Sequence, residues 1–261
     1  MSDALTKVLL PMLPPMIEAA VRDSLLERRN FSEASRDFAV SLLGSYNIKW
    51  VHKKNNKSST RTETPSFNWK VIVTTPEGNT ETKEDEVLRT SSAKDYLAGL
   101  LGDLNVNDEK LELIDIHKAT VFLPLKGNGK HAAGQTDLLL RVVTKNNDYM
   151  VAPVELKTTA ADISIVQLVF ELLAASLVST YGKAVVVLGT DLQIEGGKWF
   201  VGNFQSFNSI EIISYASSSL ALEHFKDLVR TCTIRCQKLQ TVAENAKGGP
   251  GDDKMQGERG I

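Results

Sequence analysis

Asp137 ends the run Gly134-Gln135-Thr136-Asp137 and opens Leu138-Leu139-Leu140, while Glu155 and Lys157 close the run Val151-Ala152-Pro153-Val154-Glu155-Leu156-Lys157. Both runs are otherwise fit for a core, where a charge is costly unless it is paired or used. Glu155 and Lys157 stand two residues apart, so an extended chain projects them from one face. If the two runs pair as neighbouring strands, two carboxylates and one ammonium converge. Asp137 and Glu155 then offer hard oxygen ligands for Mg²⁺ or Mn²⁺, and the carbonyl of Leu156 can complete the set. Lys157 can orient or deprotonate an attacking water, or stabilise charge on a transferring phosphoryl group. Phosphodiester hydrolysis needs this combination, because a bound divalent ion lowers the pKa of its water from about 15.7 toward roughly 7. The competing reading is a plain Glu155–Lys157 ion pair on an edge strand.

The stretch Ser164 to Ser179 is apolar almost all round, the mark of a helix packed on both sides. Gln167 and Glu171 are its polar exceptions, one turn apart. Gln167 is either a support for the site or a satisfied side chain in a buried helix. His131, in Lys130-His131-Ala132-Ala133, either reaches a phosphate beside the site with Lys130 or is a loop histidine; His52, His117 and His224 are scattered and suggest no site. Between His52 and Arg61 the chain has no apolar residue, and Lys53, Lys54, Lys57 and Arg61 read as a mobile basic loop. Such a loop can grip a phosphate backbone, or only keep the protein soluble.

The elements that must hold these residues follow from periodicity and punctuation. Residues 4–29 read as helical turns broken at prolines, and a helix is expected from Ser32, a good N-cap, to about Gly44. A strand near Ile48–His52 precedes the basic loop. Phe67–Thr74 and Glu81–Leu88 flank Pro76-Glu77-Gly78-Asn79, a hairpin signal. Ser91 or Ser92 caps a helix reaching about Leu101, and strands follow at Leu111–Ile116 and Ala119–Leu125 before a turn at Gly127-Asn128-Gly129. Lys145-Asn146-Asn147-Asp148 turns the chain between the two site strands. Ala184–Gly189, Trp199–Phe204 and Ile210–Tyr215 read as further strands, and Leu220 to Leu239 as a closing helix. The result is an α/β fold, a mixed central β-sheet flanked by helices, with the hairpin region between residues 60 and 110 as an insertion or a sheet extension. Residues 1–30 form an N-terminal helical extension, 31–240 the main domain, and 241–261 a disordered tail poor in core material.

The order helix, strand, strand with Asp, strand with Glu-x-Lys, helix and strand resembles the PD-(D/E)xK nuclease superfamily. Asp137 matches the acid of its second strand, Glu155-Leu156-Lys157 its (D/E)xK, and Gln167 the glutamine on the following helix. Its first-helix acid is matched by Glu33, with Asp37 and Asp95 as rivals. Thr136 stands where the family has proline, and Glu171 where the recombination-type branch has tyrosine. The pattern Ser32-Glu33-x-x-Arg36-x-Phe38…Gly134-x-x-Asp137…Val154-Glu155-x-Lys157…Gln167 also resembles the nuclease-like effector domains of Crinkler proteins. The resemblance covers residues 31–190 and implies a restriction-endonuclease-like core and metal-dependent nuclease activity on DNA. Glu33 and Gln167 would then support the Mg²⁺ (or Mn²⁺) held by Asp137, Glu155 and Leu156. The alternative is an inactive nuclease-like module binding nucleic acid or a host protein.

Composition sets limits on this. A chain of 261 residues with net charge −2 can bury a full core but is not a strongly basic polyanion binder. Cys232 and Cys236, the only two cysteines, lie four apart on one expected helix face with no histidine at zinc-site spacing, so they read as reduced. That suits an intracellular protein, nuclear if an effector. No apolar run nears the roughly 18 residues that span a bilayer, and no secretory leader is read. Oligomeric state, endo- versus exonuclease action and DNA versus RNA preference are not written in the sequence.

Overall fold

The computed structural model describes residues 26–57, 65–74, 80–102, 104–106, 109–117, 119, 122–143 and 149–247. The chain starts with strand β1 (Glu27–Asn30), a 3-10 turn (Phe31–Glu33), helix α1 (Arg36–Gly44) and strand β2 (Lys49–Asn55). A hairpin, β3 (Lys70–Thr74) and β4 (Thr80–Glu84), leads into helix α2 (Glu86–Leu101), then β5 (Asn105–Val106) and β6 (Glu109–Asp115). Next come β7 (Leu125–Gly127), β8 (Lys130–Ala133), β9 (Leu138–Val143), β10 (Tyr149–Leu156) and helix α3 (Ile165–Val178). Strands β11 (Val186–Thr190), β12 (Trp199–Ser206) and β13 (Ser209–Tyr215) precede the long helix α4 (Ser218–Lys247).

A mixed eight-stranded sheet, ordered β2-β13-β12-β11-β10-β9-β6-β5, is flanked by the helices and defines a mixed α/β protein. Strands β6, β9 and β10 form an antiparallel meander, after which α3 crosses over and β11 lies parallel to β10. Strand β2 closes the far edge, parallel to β13, with Lys49 opposite Ser209. Two small sheets, β1-β8-β7 and β3-β4, stand apart from it.

Residues 166–176 of α3 are all buried because the helix lies on β10 and β11 while the 3-10 turn and α1 cover its other side. Gly189 makes that seat close enough: a Cβ there would lie 2.9 Å from the methyls of Leu168. The opposite face of the sheet is covered by α2 and α4, whose Ala221, Leu222, Phe225, Val229 and Cys236 recur at helical spacing in the core. Cys232 and Cys236 are free thiols, raised by burial to about 11 and about 12. No helix among the described residues is long and apolar enough to cross a membrane.

Several sequence expectations need correction. Residues 27–30 form a strand held by pairing with β8, not the end of a helical extension, and residues 1–25 lie outside the described residues. Helix α1 starts at Arg36 with Ser35 as its cap, not Ser32, because Phe31 first turns inward onto Phe170, with ring centroids 5.4 Å apart. Helix α2 starts at Glu86 rather than at Ser91 or Ser92: Asp85 caps it, accepting from the Leu88 N–H at 2.8 Å. The hairpin is a separate two-stranded sheet, not an extension of the main one. Of the expected strand at 119–125, residues 119 and 122–124 are not extended pairing partners, 120 and 121 lie outside the described residues, and Leu125 opens the strand Leu125–Gly127, which Asn128 and Gly129, both at positive φ, turn into β8. Lys53 and Lys54 sit within β2, not in a loop. Helix α4 runs through Lys247, so residues 241–247 of the expected disordered tail are helical. The expected turns at 76–79 and 145–148, Arg61 and the tail from 248 lie outside the described residues.

Candidate functional site

The pairing of β9 with β10 sets the site. Val154 lies opposite Leu138, so Asp137 falls just beyond the strand start and its Oδ2 accepts the Leu156 N–H at 2.7 Å. Thr136 fastens the same turn by donating its hydroxyl to the Val154 carbonyl at 2.8 Å. Glu155 points from β10 toward α3 and is 3% exposed. The Lys157 ammonium lies 2.7 Å from Glu155 Oε1 and 3.0 Å from Glu86 Oε1. Because β10 has β9 on one side and β11 on the other, the Glu155–Lys157 pair is not an edge-strand pair.

Glu86 is the residue that sequence reasoning missed. It occupies the first turn of α2, where a carboxylate also complements the helix dipole. Glu33, the expected first-helix acid, is instead exposed in the 3-10 turn, and Asp137 feels Glu155, Lys157 and Glu86 but not Glu33. Asp37 is exposed in α1 and Asp95 in α2. A sign of Glu86 was present: Asp85-Glu86 followed by Leu88 and Ala93 is a capped helix start with an acid in its first turn.

Helix α3 supplies a second layer. Ser164 caps it by accepting from the Gln167 N–H. Gln167 Nε2 donates to Glu171 Oε1 at 2.8 Å, and Glu171, fully buried, faces Glu155. Among the described residues no amide, hydroxyl or ammonium donor reaches Gln167 Oε1 or Glu171 Oε2. Two carboxyl groups in contact in a dry site cannot both ionise, and burial followed by the Glu155 charge holds Glu171 well above the carboxylate range. Of the two, Glu171 is the one pushed further toward its neutral form, while Lys157 favours the charge on Glu155.

Asp137 is pushed up to about 8, first by burial and then by the Glu155 charge, against the pull of Lys157 and the Leu156 N–H. Burial likewise raises Glu155, with Lys157 opposing it. For Lys157, burial favours the neutral amine, yet Glu155, Asp137 and Glu86 outweigh it and raise its pKa, so it is an ammonium. The cluster is short of positive charge, which is the condition that recruits a cation. The oxygen donors available to one are Asp137, Glu155 and the Leu156 carbonyl, which in extended chain opens to the same side as the Leu156 N–H held by Asp137. Among the described residues no three His, Cys, Asp or Glu side chains are arranged as a metal site. Two carboxylates and a carbonyl suit Mg²⁺, which keeps several of its waters.

The expected nucleic-acid contacts belong to other strands. Lys130 is bound to Glu27 at 2.6 Å and lies over the Phe38 ring, and His131 sits beside it on β8. Lys53 is ion-paired with Glu211. Lys53, Lys54 and Lys57 lie at or beyond the C-terminal half of β2, which shares its direction with β10 and sits four strands away, about 19 Å at 4.8 Å per strand. Comparison of the chain with protein-family models, curated proteins and solved structures finds no match.

Proposed function

We propose that the chain is a divalent-metal-dependent nuclease of the PD-(D/E)xK type, acting on DNA. The observation that carries this reading is the meeting of Asp137, Glu155, Lys157 and Glu86 at one end of the sheet. The elements that present them run α2, β6, β9, β10, α3, β11, which is the superfamily's order of a helix, three strands, a helix and a strand. Glu86 takes the first-helix role expected of Glu33, and the segment first read as an insertion supplies that helix. The Crinkler-like reading rests on residues 134–167, since among the described residues Ser32–Phe38 forms no hydrogen bond or ion pair with the acidic cluster.

Asp137 and Glu155 would hold Mg²⁺ or Mn²⁺, with the Leu156 carbonyl beside them, and the ion would supply a water activated near neutral pH. Lys157 acts as a charged donor and not as a base, since its carboxylate neighbours keep it protonated. It can hold the attacking water by hydrogen bond and offset negative charge building on the phosphate. Glu86 aims that ammonium, and protonated Glu171 donates to Glu155, which keeps Glu155 ionised and oriented.

The rival reading is a binding module that does not cleave. It is favoured by the bonds of Lys157 to both Glu155 and Glu86, which already satisfy part of the acidic charge. Incubating labelled duplex and single-stranded DNA with Mg²⁺ or Mn²⁺ decides between them. The nuclease reading expects cleavage abolished by a chelator and by Glu155→Ala. Absence of cleavage across metals and pH selects the binding module, and cleavage indifferent to both treatments removes this site from consideration.

A further inference from the structure

A cavity of about 530 Å³, a size that holds a small molecule, opens at the far end of the sheet from the acidic cluster. Trp199 pairs with Thr190 at the cluster end of β12, where the Thr190 carbonyl also accepts the Lys157 N–H. Phe204 lines the cavity five residues further along β12, about 17 Å away at 3.4 Å per residue. Ile48, Leu173, Leu177 and Phe207 complete its apolar wall. Phe207 is the most exposed large apolar side chain among the described residues, at 83%, and Leu177 is half exposed.

The polar side chains of the wall divide into two kinds. The neutral ones are already engaged. The Tyr46 hydroxyl donates to the Lys126 carbonyl and accepts the Lys126 N–H, and the Ser176 hydroxyl donates to the Leu173 carbonyl. Gln205 Nε2 donates to Asn203 Oδ1, and the Ser206 hydroxyl to Asn208 Oδ1. What remains is positive. The Lys183 ammonium lies 3.5 Å from the centre of the Phe207 ring and donates to the Phe207 carbonyl, which takes one of its three N–H groups. Among the described residues neither Lys183 nor Arg235 is ion-paired, and no Asp or Glu lines the cavity. Burial pulls the Lys183 pKa down, as it does for a cation with no acid to hold it. The C-terminal end of α3 brings roughly half a negative charge to the same wall, too little to balance two full positive ones.

We propose that this cavity binds a small amphiphilic carboxylate, its hydrocarbon body against Leu173, Leu177, Phe204 and Phe207 and its carboxylate against Lys183 and Arg235. The planar fork of Arg235 suits a carboxylate, and Lys183 adds a point charge. A nucleotide fits less well, because its sugar hydroxyls and base edges would meet apolar side chains and polar groups already bonded elsewhere. The site shares no residue with the acidic cluster, so it is independent of the nuclease reading.

Anilinonaphthalene sulfonate, itself an apolar anion, serves as the fluorescent reporter on the full chain and is displaced with octanoate, hexanoate and octanol. The expected result is a saturable reporter site that octanoate empties at about tenfold lower concentration than octanol, the worth of one hydrogen bond to a charged group. Hexanoate should also be weaker by roughly tenfold, for two methylenes left unburied. Arg235→Glu, an exposed change on α4, should erase the preference for octanoate over octanol with an unchanged melting temperature. Lys183→Met keeps the stem and should weaken octanoate alone, and it decides the matter if the first variant does not fold. Loss of the preference in either variant supports the site. Absence of a saturable reporter site, equal displacement by octanoate and octanol, or a preference that survives both substitutions overturns the proposal. Stronger displacement by deoxycytidine monophosphate than by octanoate does so too, and makes the cavity a nucleotide site.

Discussion

Lys157 sits among Glu155, Asp137 and Glu86, and each of those carboxylates holds its proton on. Lys157→Met keeps much of the stem and removes the charge. Loss of a positioned charge-stabilising group is expected to cut the cleavage rate by about two to four powers of ten. Metal affinity, read by calorimetry with Mn²⁺, should hold or rise, since a competing cation has gone. Turnover within about threefold of the parent would be far short of that loss and would end the catalytic assignment of Lys157. Asp137 yields a pH prediction with a definite sign. Its carboxyl is raised from 3.8 to about 8, so the folded protein binds this proton more tightly than the unfolded chain. That contribution is fully present below about pH 4 and is lost as pH rises through about 8. The metal-free protein should therefore melt at progressively lower temperature across this window, and added Mg²⁺ should restore most at the alkaline end. A melting temperature indifferent to pH between about 5 and 8 in metal-free buffer would contradict the buried, charge-crowded Asp137 described here.

Helix starts and close approaches position these residues. Asp85 caps α2 one residue before Glu86, so Asp85→Ala should cost about 0.5–2 kcal/mol of stability by denaturant titration and also lower cleavage by loosening Glu86. An equal loss of stability with full activity would detach Glu86 from the mechanism. Gly134→Ala would drive a methyl into the Phe31 ring, for an overpacking cost of about 1–3 kcal/mol. Legibility in the sequence divides along the same line. Asp137, Glu155 and Lys157 were readable because charges in apolar strand-like runs are conspicuous, and strand pairing is local enough to bring those runs together. The burial of α3 was readable because Ser164 to Ser179 is apolar all round. Glu86 was hidden because its contact with Lys157 spans 71 residues, and because the strand expected over Glu81–Leu88 ran across the first turn of α2. Glu171 was visible as a polar exception on an apolar helix and as a substitution for an expected tyrosine; its tie to Glu155 depends on how deeply α3 seats over Gly189.

Across the whole sheet, β10, β11, β13 and β2 share one direction, so the lysines near the end of β2 stand on the same edge as the acidic cluster. Lys53 is already matched by Glu211, which leaves Lys54 and Lys57 as the charges a nucleic-acid backbone would meet. Replacing both with alanine should lower the slope of log affinity against log salt by roughly 1–2, as expected for that number of released counterions. The maximal cleavage rate should be unaffected; an unchanged slope would assign these lysines to solubility. The pairing of β2 with β13 also governs the order in which the protein can be completed. Lys49 leaves the ribosome 160 residues before Ser209, its partner in register. During that interval the hydrogen-bonding edge of β2 has no native neighbour, and an open strand edge on a nascent chain is a template for mispairing. The first strand of the main sheet thus depends on the last to be made, and refolding from denaturant is expected to be limited by that long closure rather than by the local meander around the site.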